Sequence, residues 1–270
     1  MLGLGLNAIS PALSFRLRIG DDGAVTLEDL TLSRVRVARL HYEGAEALLD
    51  QGGPLKQIHE LTERFRCRRK QNGAVMIQLP EVKIRTDVAA REVQIKPLSM
   101  NRVREMVANA MLAAGSAAAK LAAQEGFALP FSIQPEPEMS DRPESLCGMY
   151  ELRKSCQTSL LSTVPGRHAG LGLEPYARVT SPLRRYEDLL AHLQLRRHLS
   201  GQTPLGIEAM DARLAVAEPA AALRRKLERQ CNEYWTMVYL AARPGWQGET
   251  IPVARQDDRI TWLIPELAYE

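Results

Sequence analysis

Two adjacent arginines, Arg184 and Arg185, stand in the segment TSPLRRYEDLLAHLQLRRHL, residues 180–199. Ser181 is a helix-capping residue type and Pro182 suits the first helical position. The spacing therefore predicts a helix that begins there and carries both arginines in its first turn. That end of a helix is partly positive, and a cation in it is disfavoured by roughly 0.3–1 kcal/mol. Two chemistries account for arginines in such a place. A phosphate held by the free N–H groups of the helix end would be clamped further by a bidentate guanidinium. Alternatively, Glu187 and Asp188, the latter four residues after Arg184, pair with the arginines on a solvated face.

The surrounding residues offer further chemistry. Tyr176 and Tyr186 have ring faces on which bases stack, a contact worth roughly 1–3 kcal/mol per base in single-strand binders. Tyr186 also lies at helical spacing from Leu183, Leu189, Leu190 and Leu193, which predicts a core position. His168, His192 and His198 are of metal-ligating type. His192 and His198, however, are six residues apart and off one another's helical face, so structural histidines are expected. The run RFRCRRK, residues 64–70, reads as a solvated face or as a stretch that touches nucleic acid. Asp21-Asp22 precede Gly23 in a hairpin turn and Asp257-Asp258 lie in the final turn, where acidic residues are ordinary turn formers.

These residues need a scaffold. From Ser14 to Arg39 apolar and charged residues alternate about the turn DDG, a hairpin signal. Residues 43–70 read as helix, and residues 72–87 as strand after an Asn72-Gly73 turn. From Met100 to about Ser200 helices dominate, broken by the proline-rich residues 130–144 and the turn-rich residues 162–179. A further helix, residues 219–242, runs until Pro244-Gly245. Residues 248–270 form two strands about the turn QDD, too few to stand alone.

Composition sets outer bounds. The 270 residues are 45% hydrophobic and carry 35 basic against 32 acidic side chains. A core is affordable, and no extreme charge announces nucleic acid, so any RNA or DNA site must be local. Cys67, Cys147, Cys156 and Cys231 form no C-x-x-C pair, which argues against a zinc ribbon or a disulfide framework and fits a reducing cytoplasm. The apolar stretch from Met106 to Ala123 is alanine-rich with a lysine inside, so a packed helix is expected rather than a membrane span.

The run GRHAGLGLEPYARVTSPLRRYEDLLAH, residues 166–192, resembles the signature of the ribonuclease II and R family. It matches at His168, Gly170, Leu171, Tyr176, Thr180, Ser181, Pro182, Arg184, Arg185, Tyr186, Asp188, Leu189 and His192. Weaker resemblances in the right order, at residues 12–25, 68–84 and 103–131, cover nearly the whole chain. The resemblance implies an α+β fold, a mixed sheet packed with helices over residues 1–243, followed by the first strands of an OB-type RNA-binding barrel over residues 244–270. It implies a 3′→5′ exoribonuclease that hydrolyses single-stranded RNA to nucleoside 5′-monophosphates by Mg-assisted in-line attack. Carried onto the matching positions, it implies that Arg184 is the catalytic arginine. Arg185, Tyr176, Thr180, Ser181, His168 and Asn109 are then the residues that meet RNA or phosphate. No membrane partner is implied.

Two departures qualify this resemblance. The family's metal-binding aspartates, an Asp, five residues and Asp-Asp, precede the matched segment and have no counterpart here, so the chain supplies no metal ligand. Asn109 stands near the point where relatives carry a glutamate that helps hold the terminal nucleotide. The expectation is a piece of a longer enzyme, inactive alone, whose upstream segment holds Mg²⁺ and is its structural partner. A non-catalytic relative that binds RNA or another protein is the alternative.

Overall fold

The computed structural model describes residues 3–5, 7–87, 89, 92–99, 101–139 and 143–270. Parts of the N-terminal stretch and of the proline-rich loop thus lie outside the described residues. The chain divides into two compact units, one of residues 1–75, 100–136 and 157–216, the other of residues 76–99, 137–156 and 217–270.

The first unit opens with the expected hairpin. Strands β1 (Ser10–Ile19) and β2 (Val25–Val35) pair antiparallel, with a register shift at Arg16/Leu17. Its turn is pinned from outside: Arg64 and Arg68 pair with Asp21 and Asp22 at 2.8 and 2.6 Å. Gly23 has φ +74°, and a Cβ there would meet the Arg64 carbonyl oxygen at 2.3 Å, so only glycine fits. The predicted helix over 43–70 is instead two, α1 (Tyr42–Leu49) and α2 (Pro54–Gln71). Gly52 and Gly53 between them both have positive φ, and Pro54 then starts the second helix.

Helix α3 (Arg102–Glu125) is capped by Asn101, whose side chain accepts the Arg104 N–H, and ends at Gly126 with φ +72°. By length and composition it could cross a bilayer. Here it is a core helix: Ala118, Ala119 and Ala122 are fully buried and pack with Leu129, Phe131, Ala177, Val179, Ala191 and Leu195, and Ala113 and Ala117 pack with Val25, Phe65, Leu173 and Tyr176. Small side chains let other backbone come close. At Gly115 a Cβ would meet the Ala177 carbonyl oxygen at 2.4 Å and the Tyr176 ring at 2.5 Å. Strands β5 (Phe131–Ile133) and β6 (Leu160–Ser162) pair antiparallel. Residues 167–177 lie beside β5, with the Ser132 N–H donating to the Tyr176 carbonyl and the Gln134 N–H to that of Arg167. Helix α5 (Tyr186–Leu199) buries Leu190, Ala191 and Leu195.

The second unit holds β3 (Val82–Asp87) paired with β4 (Glu92–Pro97), helix α4 (Leu146–Ser155), and β7 (Ile251–Gln256) paired with β8 (Arg259–Leu263). Tyr150, Val253 and Leu263 form its buried core. Helix α6 (Ile207–Ala241) contributes residues to both units.

Three expectations change. Residues 75–81 are not strand; β3 begins only at Val82. The sheets are four separate antiparallel pairs among the described residues, not one mixed sheet. The last 20 residues do form two strands about Asp257-Asp258, but two strands cannot close a barrel, and no barrel is present among the described residues.

Candidate phosphate-binding site

The arginine pair does not sit in a helix. Helix α5 begins at Tyr186, with Arg185 as its N-cap residue, and the Ser181 side chain caps nothing. Residues 181–185 form a tight turn in which the N–H groups of Arg184 and Arg185 both donate to the Ser181 carbonyl, at 3.2 and 3.0 Å. The cause is Asp188. Its carboxylate is completely buried in the first turn of α5, and Oδ2 accepts both the Ser181 N–H at 2.7 Å and Arg185 Nη2 at 2.6 Å. This charge-assisted bond holds the Ser181 backbone from seven residues away, and the Arg184 N–H, which a Ser181 cap would take, closes onto the Ser181 carbonyl instead. An anion in the first turn also suits the helix dipole, so the arginines need no longer oppose it.

The pairing that would have made the arginines ordinary surface residues is accordingly different. Asp188 takes Arg185, not Arg184, and Glu187 takes Arg178 at 3.3 Å. Arg185 is further held by the Thr180 hydroxyl at 3.4 Å, and its Nε is buried without a partner. Arg184 is exposed and makes no side-chain hydrogen bond or ion pair among the described residues. The turn is also tethered from its other side, where His192 Nε2 lies 2.6 Å from the Val179 carbonyl. His192 is therefore structural.

The other candidates surround a buried basic centre. Tyr176 and His168 are 8% and 7% exposed and meet edge to face with centroids 5.9 Å apart. Burial, helped by Arg178 and Arg69, lowers the His168 pKa to about 4, so the ring is neutral at pH 7, and its Nδ1 has no hydrogen-bond partner. Burial likewise raises the Tyr176 hydroxyl. With its ring packed in the core, Tyr176 offers no open face for stacking a base. Asn109 is buried on α3; its Oδ1 accepts Arg69 Nη1 at 2.7 Å and its Nδ2 donates to the Glu105 carbonyl at 2.9 Å. Tyr186, Leu183, Leu189 and Leu193 are exposed, because α5 turns Leu190, Ala191 and Leu195 inward instead.

Arg69 escaped the sequence reading. It sits in the run that reads as a solvated face, yet it is buried, donating from Nε to the Leu171 carbonyl at 2.8 Å and packing over the Phe65 ring. Burial lowers its pKa to about 10, which still leaves it charged at pH 7. No carboxylate pairs with it among the described residues. Its only sequence signal is the four-residue spacing from Phe65. Arg69, Arg178, Arg184 and Arg185 against Glu187 and Asp188 make this region of the first unit net positive. Its two carboxylates, Glu187 and Asp188, are already taken by Arg178 and Arg185. The residues at hand therefore do not fit the magnesium ion that the resemblance implies.

The architecture is one shared by RNA exonucleases. It is similar to the structure of a Dss1 exoribonuclease active-site mutant from Candida glabrata, with TM-score 0.82, 19% identity and coverage of 98% of this chain and 38% of that one. It is similar also to Mycoplasma genitalium RNase R in complex with ribose-methylated single-stranded RNA, with TM-score 0.76, 19% identity and coverage of 97% and 49%. The RNB domain model matches residues 2–146 and 141–201, and the chain belongs to that family. Among curated relatives, an uncharacterized ribonuclease of Synechocystis is 33% identical over 269 residues, which span 94% of this chain and 40% of that protein. The chloroplastic/mitochondrial ribonuclease II of Arabidopsis thaliana is 27% identical over 97% of this chain and 34% of its own length. The chain thus spans well under half of these relatives.

Two outcomes follow from this geometry. Asp188→Ala strands Arg185 and should cost about 3–5 kcal/mol of unfolding free energy, whereas Arg184→Ala should change it by no more than about 0.5 kcal/mol; urea unfolding of both variants measures the contrast. His168 binds its proton more weakly folded than unfolded, so its contribution is fully present above pH 6.5 and is lost as pH falls toward 4. His168→Phe should flatten the stability profile in that window, as thermal melts between pH 4 and 7 would register.

Proposed function

We propose that this chain is the phosphate-handling part of a 3′→5′ exoribonuclease acting on single-stranded RNA. The observation that carries the reading is Arg184, a guanidinium exposed and unpaired at the tip of a turn that Asp188 and Arg185 hold rigid. A planar two-donor fork placed there matches two oxygens of a phosphodiester. When water attacks phosphorus in line, negative charge builds on the non-bridging oxygens, and a fixed cation costs no reorganisation at that moment. In this reading Arg185 acts by shaping the turn. Thr180 lends it its hydroxyl and Ser181 its backbone, and Arg69 with the neutral Asn109, His168 and Tyr176 forms the floor beneath. The domain division proposed is residues 1–243 as the RNB part and 244–270 as the first strands of an RNA-binding barrel.

The aspartates that would hold Mg²⁺ are assigned to a segment outside this chain, which would dock on it as structural partner. A second reading, a non-catalytic RNA- or partner-binding relative, is favoured by one observation: the fold is similar, with TM-score 0.53 and 15% identity, to yeast Ssd1, a pseudonuclease.

The two readings separate in one set of assays. The 270-residue chain should release no nucleoside monophosphates from oligo(A) with Mg²⁺, whereas the polypeptide extended upstream should. In that longer enzyme Arg184→Ala or Arg184→Lys should lower kcat by about 10²–10⁴ with RNA affinity within a few-fold, the mark of an interaction made in the transition state. Magnesium-dependent release by the isolated chain, or normal turnover by the Arg184 variants, would contradict the proposal.

A further inference from the structure

Helix α5 grips the chain ahead of the arginine turn at two points. Asp188 and His192 are four residues apart and share one face of the helix. Asp188 Oδ2 takes the Ser181 N–H at 2.7 Å, and His192 Nε2 lies 2.6 Å from the Val179 carbonyl oxygen. A carbonyl only accepts, so Nε2 carries the hydrogen and donates it. The two bonds therefore fall on consecutive peptide groups, one on each side of Thr180, where the chain bends. Each peptide group is planar, so the φ and ψ of Thr180 are set by two planes that α5 holds. Burial of Val179 among Ala177, Ala191 and Leu195 fixes its side chain. Packing alone leaves the peptide that follows free to turn, and the histidine bond stops that rotation.

We infer that His192 is a positioning residue for the Arg184 guanidinium, acting through the Val179–Thr180 peptide. The grip is anchored in the core. Gln194, fully buried two residues beyond His192, donates from Nε2 to the carbonyls of Ala128 and Leu205 at 2.8 and 3.0 Å and accepts the Leu205 N–H at 2.8 Å. The helix is thereby held against sliding along the segment it grips. From the bend the fixed geometry passes outward. Thr180 Oγ1 accepts Arg185 Nη2 at 3.4 Å, and the Ser181 carbonyl closes the turn on the N–H groups of Arg184 and Arg185. Every one of these residues belongs to the first unit, so the relay is internal to it. A fixed cation stabilises developing charge only where it is aimed, and small misplacements of such a group are costly in rate. The inference rests on the reading of Arg184 as the cation that meets phosphate. Its chemical requirement is a donor at the reach of Nε2. A glutamine amide supplies one over the same number of bonds, and an asparagine amide falls one bond short.

Two measurements test it. In the ¹⁵N-labelled 270-residue chain, relaxation should give the Thr180 and Arg184 amides order parameters near about 0.85, falling to about 0.6 or below in His192→Leu. His192→Gln should keep the rigid values and His192→Asn should lose them, with circular dichroism confirming that each variant is folded. If His192→Leu does not fold, the glutamine and asparagine variants carry the same contrast. In the polypeptide extended upstream, His192→Leu should lower kcat by about 10–100-fold with RNA affinity within about threefold, and His192→Gln should restore kcat. The loss should vanish when Arg184 is already alanine, because a residue that acts through another has nothing left to position. A turn as rigid in His192→Leu as in the wild type would overturn the inference. Equal behaviour of the glutamine and asparagine variants would do the same, as would a double variant whose loss is the product of the two single ones. Normal turnover by Arg184→Ala alone contradicts the reading of the site instead, and the order parameters then decide the positioning.

Discussion

The Asp188 carboxylate is the constraint on which the site depends. A fully buried charge is tolerated only when it is paired and hydrogen-bonded. Asp188 meets that demand through Oδ2 alone, which takes two donors, the Ser181 N–H from the chain before the turn and Arg185 from the turn itself, while its Oδ1 is buried without a partner. Satisfying it folds residues 181–185 back on themselves and delays the helix to Tyr186. It also consumes one of the two arginines, so the other is presented alone. Selection of Arg184 as the free cation is thus a consequence of which arginine the buried acid can reach.

The platform beneath the turn follows from small side chains. Gly115 on α3 allows Tyr176 and Ala177 to lie almost on the helix backbone, and the buried His168 packs edge to face on Tyr176. Burial then decides their chemistry: an uncharged imidazole and an un-ionised phenol. Arg69 reaches the same region from α2, bonded to Leu171 and Asn109. Among the described residues of that region it is the one cation that has been taken out of water without an anion to compensate it.

Much of this was legible from residue types and spacing. The hairpin about DDG, the alanine-rich core helix and the final strand pair all follow local rules, and the residues from His168 to His192 mark the family directly. What failed were readings in which a local preference met a longer-range one. Ser181-Pro182 is a good helix start until a buried carboxylate seven residues on draws in the Ser181 N–H and Arg185, and the Arg184 N–H that the Ser181 hydroxyl would take goes to the Ser181 carbonyl instead. Tyr186 at leucine spacing resembles a core residue, but the inward face of α5 is Leu190, Ala191 and Leu195. Arg69 is indistinguishable in sequence from Arg64 and Arg68, which do lie at the surface paired with the hairpin turn; only the fold separates them.

The central claim is that Asp188 holds Arg185 so that Arg184 alone meets phosphate. It is tested most directly by following the ¹⁵N-labelled arginine Nε resonances of the chain as oligo(A) is added, with Arg184→Lys and Arg185→Lys to assign the signals. The account predicts that the Arg184 resonance moves with RNA while that of Arg185 does not, and that Asp188→Asn, still folded, abolishes the selectivity. A shift centred on Arg185, or a response unchanged in Asp188→Asn, would contradict it.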